Sequence, residues 1–251
     1  MSSPDPSIFP LPFNLILKNG DGVRIEEAYA MTAARMIGIP VPRLLSYGSP
    51  GGGLPWGSIL MTRIPGTTLD EVYHSLSDAE LCTIKEDLAG ILSRMRSFKN
   101  PWGRRICSVI GTSLTGASLP GGSLDPCEDE TEFHNRFISI GTGCRELWED
   151  PDAYEQALAT ARQILSLPHD ITFTHGDLMG HNMLVLNGHI TGIIDWESAG
   201  WMPEHWEYAS AVRCRRMNTW WGKFILSLPG YRYPQELAYE TAKSELTRWS
   251  F

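Results

Sequence analysis

Apolar positions change their spacing along the chain, and each change marks an element. Phe13 to Asn19 (FNLILKN) alternates and concentrates apolar residues as a strand does, and Asn19-Gly20-Asp21-Gly22 ends it as a turn. Ile25, Ala28, Tyr29, Met31, Thr32, Ala33 and Met36 then recur near a helical period until Gly38 and Pro40 stop it. VPRLLSYG and WGSILMTRI predict two further strands around the loop Ser49 to Pro55. The Ser- and Pro-rich first ten residues are expected to be loose, with at most one strand at Ile8 to Leu11. A small sheet with one helix is the expectation for this end of the chain.

After Ile64-Pro65-Gly66 the helical period takes over. Ser77 to Glu80 reads as a capping box, followed by a long apolar stripe from Leu81 through Ile84, Leu88, Ile91, Leu92 and Met95 to Phe98. Residues 99–127 are rich in Gly and Pro yet carry Ile106, Val109, Ile110 and Leu114, which predicts an irregular segment that packs. Helices are expected over about 129–149 and 152–166, and again from Trp206 onward with breaks at Pro229 and Pro234. Between them lie three short apolar runs, ITFT (171–174), MLVL (183–186) and ITGII (190–194), the last two joined by the hairpin dipeptide Asn187-Gly188.

Composition narrows the class. The chain has 251 residues, 42% of them hydrophobic, which suffices for one large domain or two unequal lobes. A formal charge of −8 disfavours broad phosphate-backbone binding, so nucleic acid is not an expected partner; Arg213, Arg215 and Arg216 read as a solvated helix face. Five cysteines without a Cys-x-x-Cys pair fit reduced thiols. No apolar run approaches the roughly 18 residues of a membrane span, and the start lacks secretory features, so neither membrane nor export is expected and a cytoplasmic location is.

The candidate chemistry sits in THGDLMGHNMLV (174–185) and IIDWE (193–197). A tight hairpin brings its ends together, so Asn182 and Asp195 should lie near each other across the ladder. Oxygen donors of that kind suit Mg²⁺, which leaves Asp177 to accept a proton from an attacking hydroxyl, the division of labour found in phosphoryl transfer. A metal-dependent hydrolase would instead draw on His175, Asp177, His181 and Asp195. Polar turns between buried strands, with no site at all, are the third reading. The run Gly51-Gly52-Gly53 lacks a following Gly-Lys-Ser/Thr and reads as a hairpin connection rather than a phosphate loop.

His175-x-Asp177-x-x-x-x-Asn182 followed by Asp195 resembles the catalytic loop and metal-binding Asp of the aminoglycoside phosphotransferase family, relatives of choline kinase. LILK, EEAYAM and ILMTRIPG resemble that family's strand lysine, helix glutamate and inter-lobe segment, and GWMPEHWEYA resembles its fungal members. The resemblance implies an α+β, two-lobed protein-kinase-like fold. A small, truncated N-terminal β-sheet lobe with one helix (1–64) would bind nucleotide, and a larger, mainly α-helical C-terminal lobe (65–251) would carry the catalytic loop and substrate site. It implies Asp177 as catalytic base, Asn182 and Asp195 as metal ligands and His175 as a structural brace. Lys18 would contact the nucleotide phosphates and pair with Glu27 in preference to Glu26, and Thr62, Arg63 and Ile64 would offer backbone groups to the adenine. The implied cofactors are ATP or GTP and Mg²⁺, and the implied acceptor is a small-molecule hydroxyl.

Two features bear on activity and substrate. Only 17 residues precede Lys18, so a strand-and-loop cover over the phosphates is expected to be missing. This keeps a catalytically inactive kinase-like binding protein as the alternative to a small-molecule kinase. The acidic run Glu128, Asp129, Glu130 and Glu132 suits either a cationic substrate or the solvated start of a helix.

Overall fold

The computed structural model describes residues 8–49, 56–215, 218–230 and 232–247, apart from the side chains of Trp56, Cys214 and Arg215. In chain order the elements are β1 (Ile8–Leu11), β2 (Leu15–Asp21), α1 (Ile25–Met36), β3 (Leu44–Gly48), β4 (Trp56–Thr62), β5 (Thr67–Thr68), α2 (Leu69–Val72), α3 (Asp78–Ser97), β6 (Cys107–Ser108), β7 (Leu114–Thr115), β8 (Ser123–Leu124), α4 (Glu130–Gly143), α5 (Pro151–Arg162), β9 (Ile171–Thr174), β10 (Met183–Leu186), β11 (His189–Ile193), β12 (Gly200–Pro203), α6 (Trp206–Arg215), α7 (Trp220–Leu226) and α8 (Pro234–Leu246). They fall into two compact units: residues 1–95 with 178–199, and residues 96–177 with 200–251. That division differs from the lobe boundary at 64/65, because residues 65–95 and the β10–β11 hairpin group with the first sheet. The run Gly51-Gly52-Gly53 lies outside the described residues.

The first unit holds an antiparallel sheet in the order β1-β2-β4-β3. Ile8 pairs with Lys18 and Lys18 with Ile59, so the lysine sits on an inner strand. The strand begins later than Phe13. Phe13 and Asn14 have φ of 64° and 56° and form the turn between paired Leu11 and Leu15. Pro12 cannot donate to a ladder and Asn tolerates the left-handed region, so the chain reverses there and leaves Phe13 exposed. At its other end β2 runs through Asn19-Gly20, which pair with Ser58 and Gly57 instead of turning.

α1 ends as its sequence predicts. Gly38 takes φ 77°, its N–H reaches the Arg35 carbonyl at 3.0 Å, and Ile39 N–H reaches the Ala34 carbonyl at 3.0 Å, a Schellman closure. α3 starts with the expected box: Ser77 N–H donates to Glu80 Oε2 at 2.9 Å while Glu80 N–H donates to Ser77 Oγ at 3.3 Å. A second sheet, β11-β10-β5, contains the Asn187-Gly188 hairpin, both turn residues at positive φ. Ile193 N–H donates to the Pro40 carbonyl at 2.8 Å and ties this hairpin to the loop after α1.

The second unit is mainly helical, with a sheet β6-β12-β9 and a β7-β8 pair. The Gly- and Pro-rich stretch 99–127 packs as expected: Ile106, Leu114, Leu119 and Leu124 are buried against Phe133, Phe137, Met202 and Trp206, whereas Val109 and Ile110 are only half-buried. Ile138, Tyr154, Leu158 and Leu246 make a neighbouring cluster. α4 stops at Gly143 rather than 149, after Gly141 and Gly143, whose helix propensity is poor, and a 3₁₀ turn covers 145–147. α5 likewise passes into a 3₁₀ turn at 163–166. No helix among the described residues is long and apolar enough to cross a membrane.

Candidate active site

The first unit contains a cavity of about 300 Å³ lined by Lys18 of β2, Glu27 of α1, Thr62 at the end of β4, Arg63, Ile64, Asn182 and Asp195. Ile16, Met61, Leu184 and Ile194 supply an apolar wall. Five short stretches of sequence thus converge, and each side chain has a local reason for its place.

Lys18 is nearly buried on an inner strand and donates to both carboxylate oxygens of Glu27 at 3.0 Å each, to Asp195 Oδ1 at 2.7 Å and to Glu197 Oε2 at 3.3 Å. Burial alone would favour the neutral amine. Glu27, Asp195 and Glu197 outweigh it and hold the ammonium charged well above the ordinary lysine range. Burial in turn pushes the Glu27 carboxyl up against the pull of Lys18. The neighbouring Glu26 pairs with Arg24 at 3.3 Å and not with Lys18.

Asn182 closes a 3₁₀ turn over Gly180–Asn182 and is buried. Its carbonyl accepts from Ile194 N–H at 3.0 Å, and Met183 pairs with Ile193, so the ladder sets Asn182 beside the approach to Asp195. Asp195 itself leaves the strand at φ 64°, a left-handed conformation that Asp tolerates better than most residues. That step turns its carboxylate toward Lys18. Asn182 and Asp195 are hard oxygen donors, the set a Mg²⁺ ion takes.

In the second unit the stretch Thr174 to Asp177 is braced from α6. His175 is fully buried, and its N–H and that of Gly176 both donate to Glu207 Oε2, at 2.6 and 3.4 Å. The His175 ring accepts from Asp177 N–H at 3.3 Å through Nδ1, so the imidazole shapes the turn on which Asp177 sits. His181, in the first unit, lies half-exposed with Nδ1 3.8 Å from Asp70 Oδ2.

Two of the backbone donors next to the cavity are already engaged. Thr62 N–H already donates to the Arg43 carbonyl at 3.0 Å, and Arg63 N–H to the Asn14 carbonyl at 2.7 Å. The strand pairing and the turn at Asn14 take up those two donors, so an adenine contact from Thr62 to Ile64 would draw on the carbonyls and on Ile64 N–H. Two residues escaped the sequence reading. Glu197 follows Asp195 by two positions, a spacing that could have marked it as a second carboxylate on the same side. Glu207 opens α6 in HWEYA, and nothing local in the sequence signals its reach to His175.

A small antiparallel sheet with a buried Lys–Glu pair, a helical remainder, and an Asp-x-x-x-x-Asn turn followed by a second Asp define a protein-kinase-like fold. The model of the phosphotransferase enzyme family matches residues 23–232, and the chain belongs to that family. Aminoglycoside phosphotransferase APH(4)-Ia is similar in structure, with a TM-score of 0.66 at 18% identity over 97% of this chain and 80% of that one. ADP-bound aminoglycoside phosphotransferase APH(2'')-Ib gives a TM-score of 0.62 at 18% identity, covering 99% and 82%. The streptomycin–ATP–APH(2")-IIa ternary complex also gives 0.62 at 18%, covering 99% and 81%. Comparison with curated protein sequences finds no match.

Proposed function

We propose that this chain is a small-molecule kinase that moves the γ-phosphoryl group of ATP or GTP to a hydroxyl, with Asp177 as the proton acceptor. The observation that carries the reading is the shared lining of one cavity by Lys18, Glu27, Asn182 and Asp195. The solved aminoglycoside phosphotransferases that it resembles include complexes with ADP and ATP.

Each residue then has a task. Lys18, positioned by Glu27, would meet the nucleotide phosphates, exchanging its contacts with Asp195 and Glu197 for them. Asn182 and Asp195 would hold Mg²⁺, which when bound neutralises charge on the phosphate oxygens. Ile16, Met61, Leu184 and Ile194 would flank the base, with the Ile64 backbone as its polar contact. The role of Asp177 rests on its motif spacing, and His175 would keep its turn in shape.

The acceptor stays at the level of a hydroxylated small molecule. The acidic run no longer speaks for a cationic one. Asp129 caps α4 by accepting from Glu132 N–H at 2.9 Å, Glu132 pairs with Arg136 at 2.6 Å, and Glu130 is buried. Their places at the start of the helix account for them without a cationic acceptor.

The test is ADP release from Mg²⁺ and ATP or GTP across a panel of hydroxylated compounds, aminoglycosides included. Turnover that vanishes in Asp177→Ala, with nucleotide binding retained, is the expected result. A nucleotide-induced rise in melting temperature with no turnover on any compound would favour the inactive binding protein. Metal-independent nucleotide binding that survives Asp195→Ala would overturn the assignment of the metal ligands.

A further inference from the structure

The second unit encloses a set of buried ionisable groups that phosphoryl transfer does not use. Glu130 and His134 come from α4, His169 from the turn before β9, His205 from the turn before α6, and Glu240 and Lys243 from α8. All six are buried, and His134 and His205 are fully so. Ligand atoms of Glu130, His169 and His205 lie within 4.8 Å of one another.

We propose that Glu130, His169 and His205 form a binding site for a zinc ion. Two imidazoles and one carboxylate are ligands that zinc accepts in tetrahedral sites, with water in the remaining position. The hydrogen bonds already set the ring nitrogens for it. His205 Nε2 faces Glu240 Oε1 at 3.3 Å and so carries the proton, which leaves Nδ1 with its lone pair free. That Nδ1 is buried and has no hydrogen-bond partner among the described residues. A carboxylate behind one imidazole nitrogen and a bare lone pair at the other is how metal-bound histidines are oriented.

His169 is built into the same arrangement. Its N–H donates to Glu130 Oε2 at 2.9 Å, while its ring holds Glu130 Oε1 through Nδ1 at 2.6 Å and Glu236 Oε1 through Nε2 at 3.4 Å. The ion would take the place of the proton shared by Nδ1 and Glu130, and that proton leaves to solvent. Glu236 would then support the far nitrogen of His169 as Glu240 supports that of His205.

His134 is excluded as a ligand. Lys243 Nζ contacts its Nδ1 at 2.9 Å and donates to Glu240 Oε1 at 2.6 Å, so the proton of His134 sits on Nε2, facing Glu130 Oε1 at 3.3 Å. The same contacts pair the ammonium of Lys243 with Glu240, on the side of His134 away from Glu130. Glu130, Glu236 and Glu240 outnumber the Lys243 ammonium and the Arg213 guanidinium near it, and a divalent ion with neutral imidazoles offsets that excess of negative charge. A cavity of about 110 Å³ lined by Glu130, His134, Ile164 and Arg104 borders the cluster on the side of its carboxylate ligand.

The decisive experiment uses the full chain carrying Asp195→Asn, which silences the kinase metal site, stripped with chelator and titrated with Zn²⁺. One ion per chain should bind. The side-chain nitrogen resonances of His169 and His205 should shift during the titration, and those of His134 much less. His205→Gln should abolish the stoichiometric binding, and Glu240→Gln should weaken it about 10- to 100-fold. Unshifted His169 and His205 signals in the unaltered cluster would overturn the proposal even if both variants fail to fold. Binding abolished by cysteine alkylation would place the ion on thiols and overturn it as well.

Discussion

Each unit buries a lysine among glutamates, and the two clusters differ in what surrounds them. Around Lys18, Glu27 is buried, but the side chains of Asp195 and Glu197 are 39% and 48% exposed, and the group borders the larger cavity. Around Lys243, Glu240 and His134 are closed off from solvent on three sides by α4, α6 and α8, with Phe133, Phe137 and Trp206 within cation–π distance of the ammonium. An ion pair with solvent at one end can exchange partners at little cost. A pair sealed by aromatic rings cannot, because each charge is tolerable there only while its partner remains. The Lys18 pair is therefore suited to exchanging partners for a ligand, and the Lys243–Glu240 pair to holding helices together.

The strongest way to break this contrast is to remove one carboxylate from each. Glu240→Ala leaves Lys243 unpaired in a dry interior and should lower unfolding free energy by about 3–5 kcal/mol, measured by urea denaturation. Glu197→Ala removes a half-exposed partner while Glu27 and Asp195 remain, and should cost less than about 1 kcal/mol. Equal losses would mean that the two clusters are not different in kind.

The sequence revealed the first cluster far better than the second, for a physical reason. Lys18 interrupts the apolar run of β2, and Asn182 and Asp195 sit at a tight turn and a strand end, where a polar residue is conspicuous. The hairpin at Asn187-Gly188, the Schellman glycine at 38 and the box at Ser77–Glu80 were legible because their conformations depend on residues a few positions apart. Glu240 and Lys243, by contrast, read as an ordinary charged pair one helical turn apart, and their burial depends on packing against α4 and α6, more than 25 residues away in sequence. The partners of the Thr62 and Arg63 amides were hidden for the same reason, since their acceptors at Arg43 and Asn14 lie far off in the sequence. Nor could periodicity show that Phe13 would stand in a turn rather than a strand.

Acid should separate the clusters next. His134 is pushed down to about 4 from 6.5, by burial and then by Lys243, against the opposing pull of Glu130 and Glu240. Below pH 6.5 the unfolded chain takes up a proton that the folded one refuses, so stability falls as pH drops from 6.5 toward 4. One such proton contributes a slope of at most about 1.4 kcal/mol per pH unit. His169, raised above 6.5 against its burial by Glu130 and Glu236, acts the other way: its contribution is complete below 6.5 and fades as pH rises through its folded value. Glu130 is pushed up by burial, but hydrogen bonds from His134 and His169 bring it down to about 2, so its contribution is lost only as pH falls from 4.5 toward 2. Urea denaturation of chelated protein at successive pH values should give a curve that declines from 6.5 toward 4 and flattens there in His134→Gln. An unchanged slope in the variant would remove His134 as its source.

Two glycines mark how tightly each region is packed. A Cβ at Gly141 of α4 would lie 2.6 Å from Leu246 Cβ and 3.4 Å from the Leu246 backbone on α8. Neither can yield without moving a helix, so Gly141→Ala should cost about 1–3 kcal/mol in urea denaturation. A Cβ at Gly192 of β11 would meet Ile64 Cδ1 at 2.5 Å and Cγ2 at 2.9 Å, nearer the free end of a side chain that lines the larger cavity. Ile64 can rotate into that space. Gly192→Ala should therefore lose less stability than Gly141→Ala and register instead as weaker nucleotide binding, read by calorimetric titration with ATP. If Gly192→Ala destabilises as much as Gly141→Ala while binding is unaltered, the open site is as rigid as the closed one, and the contrast between the two regions fails.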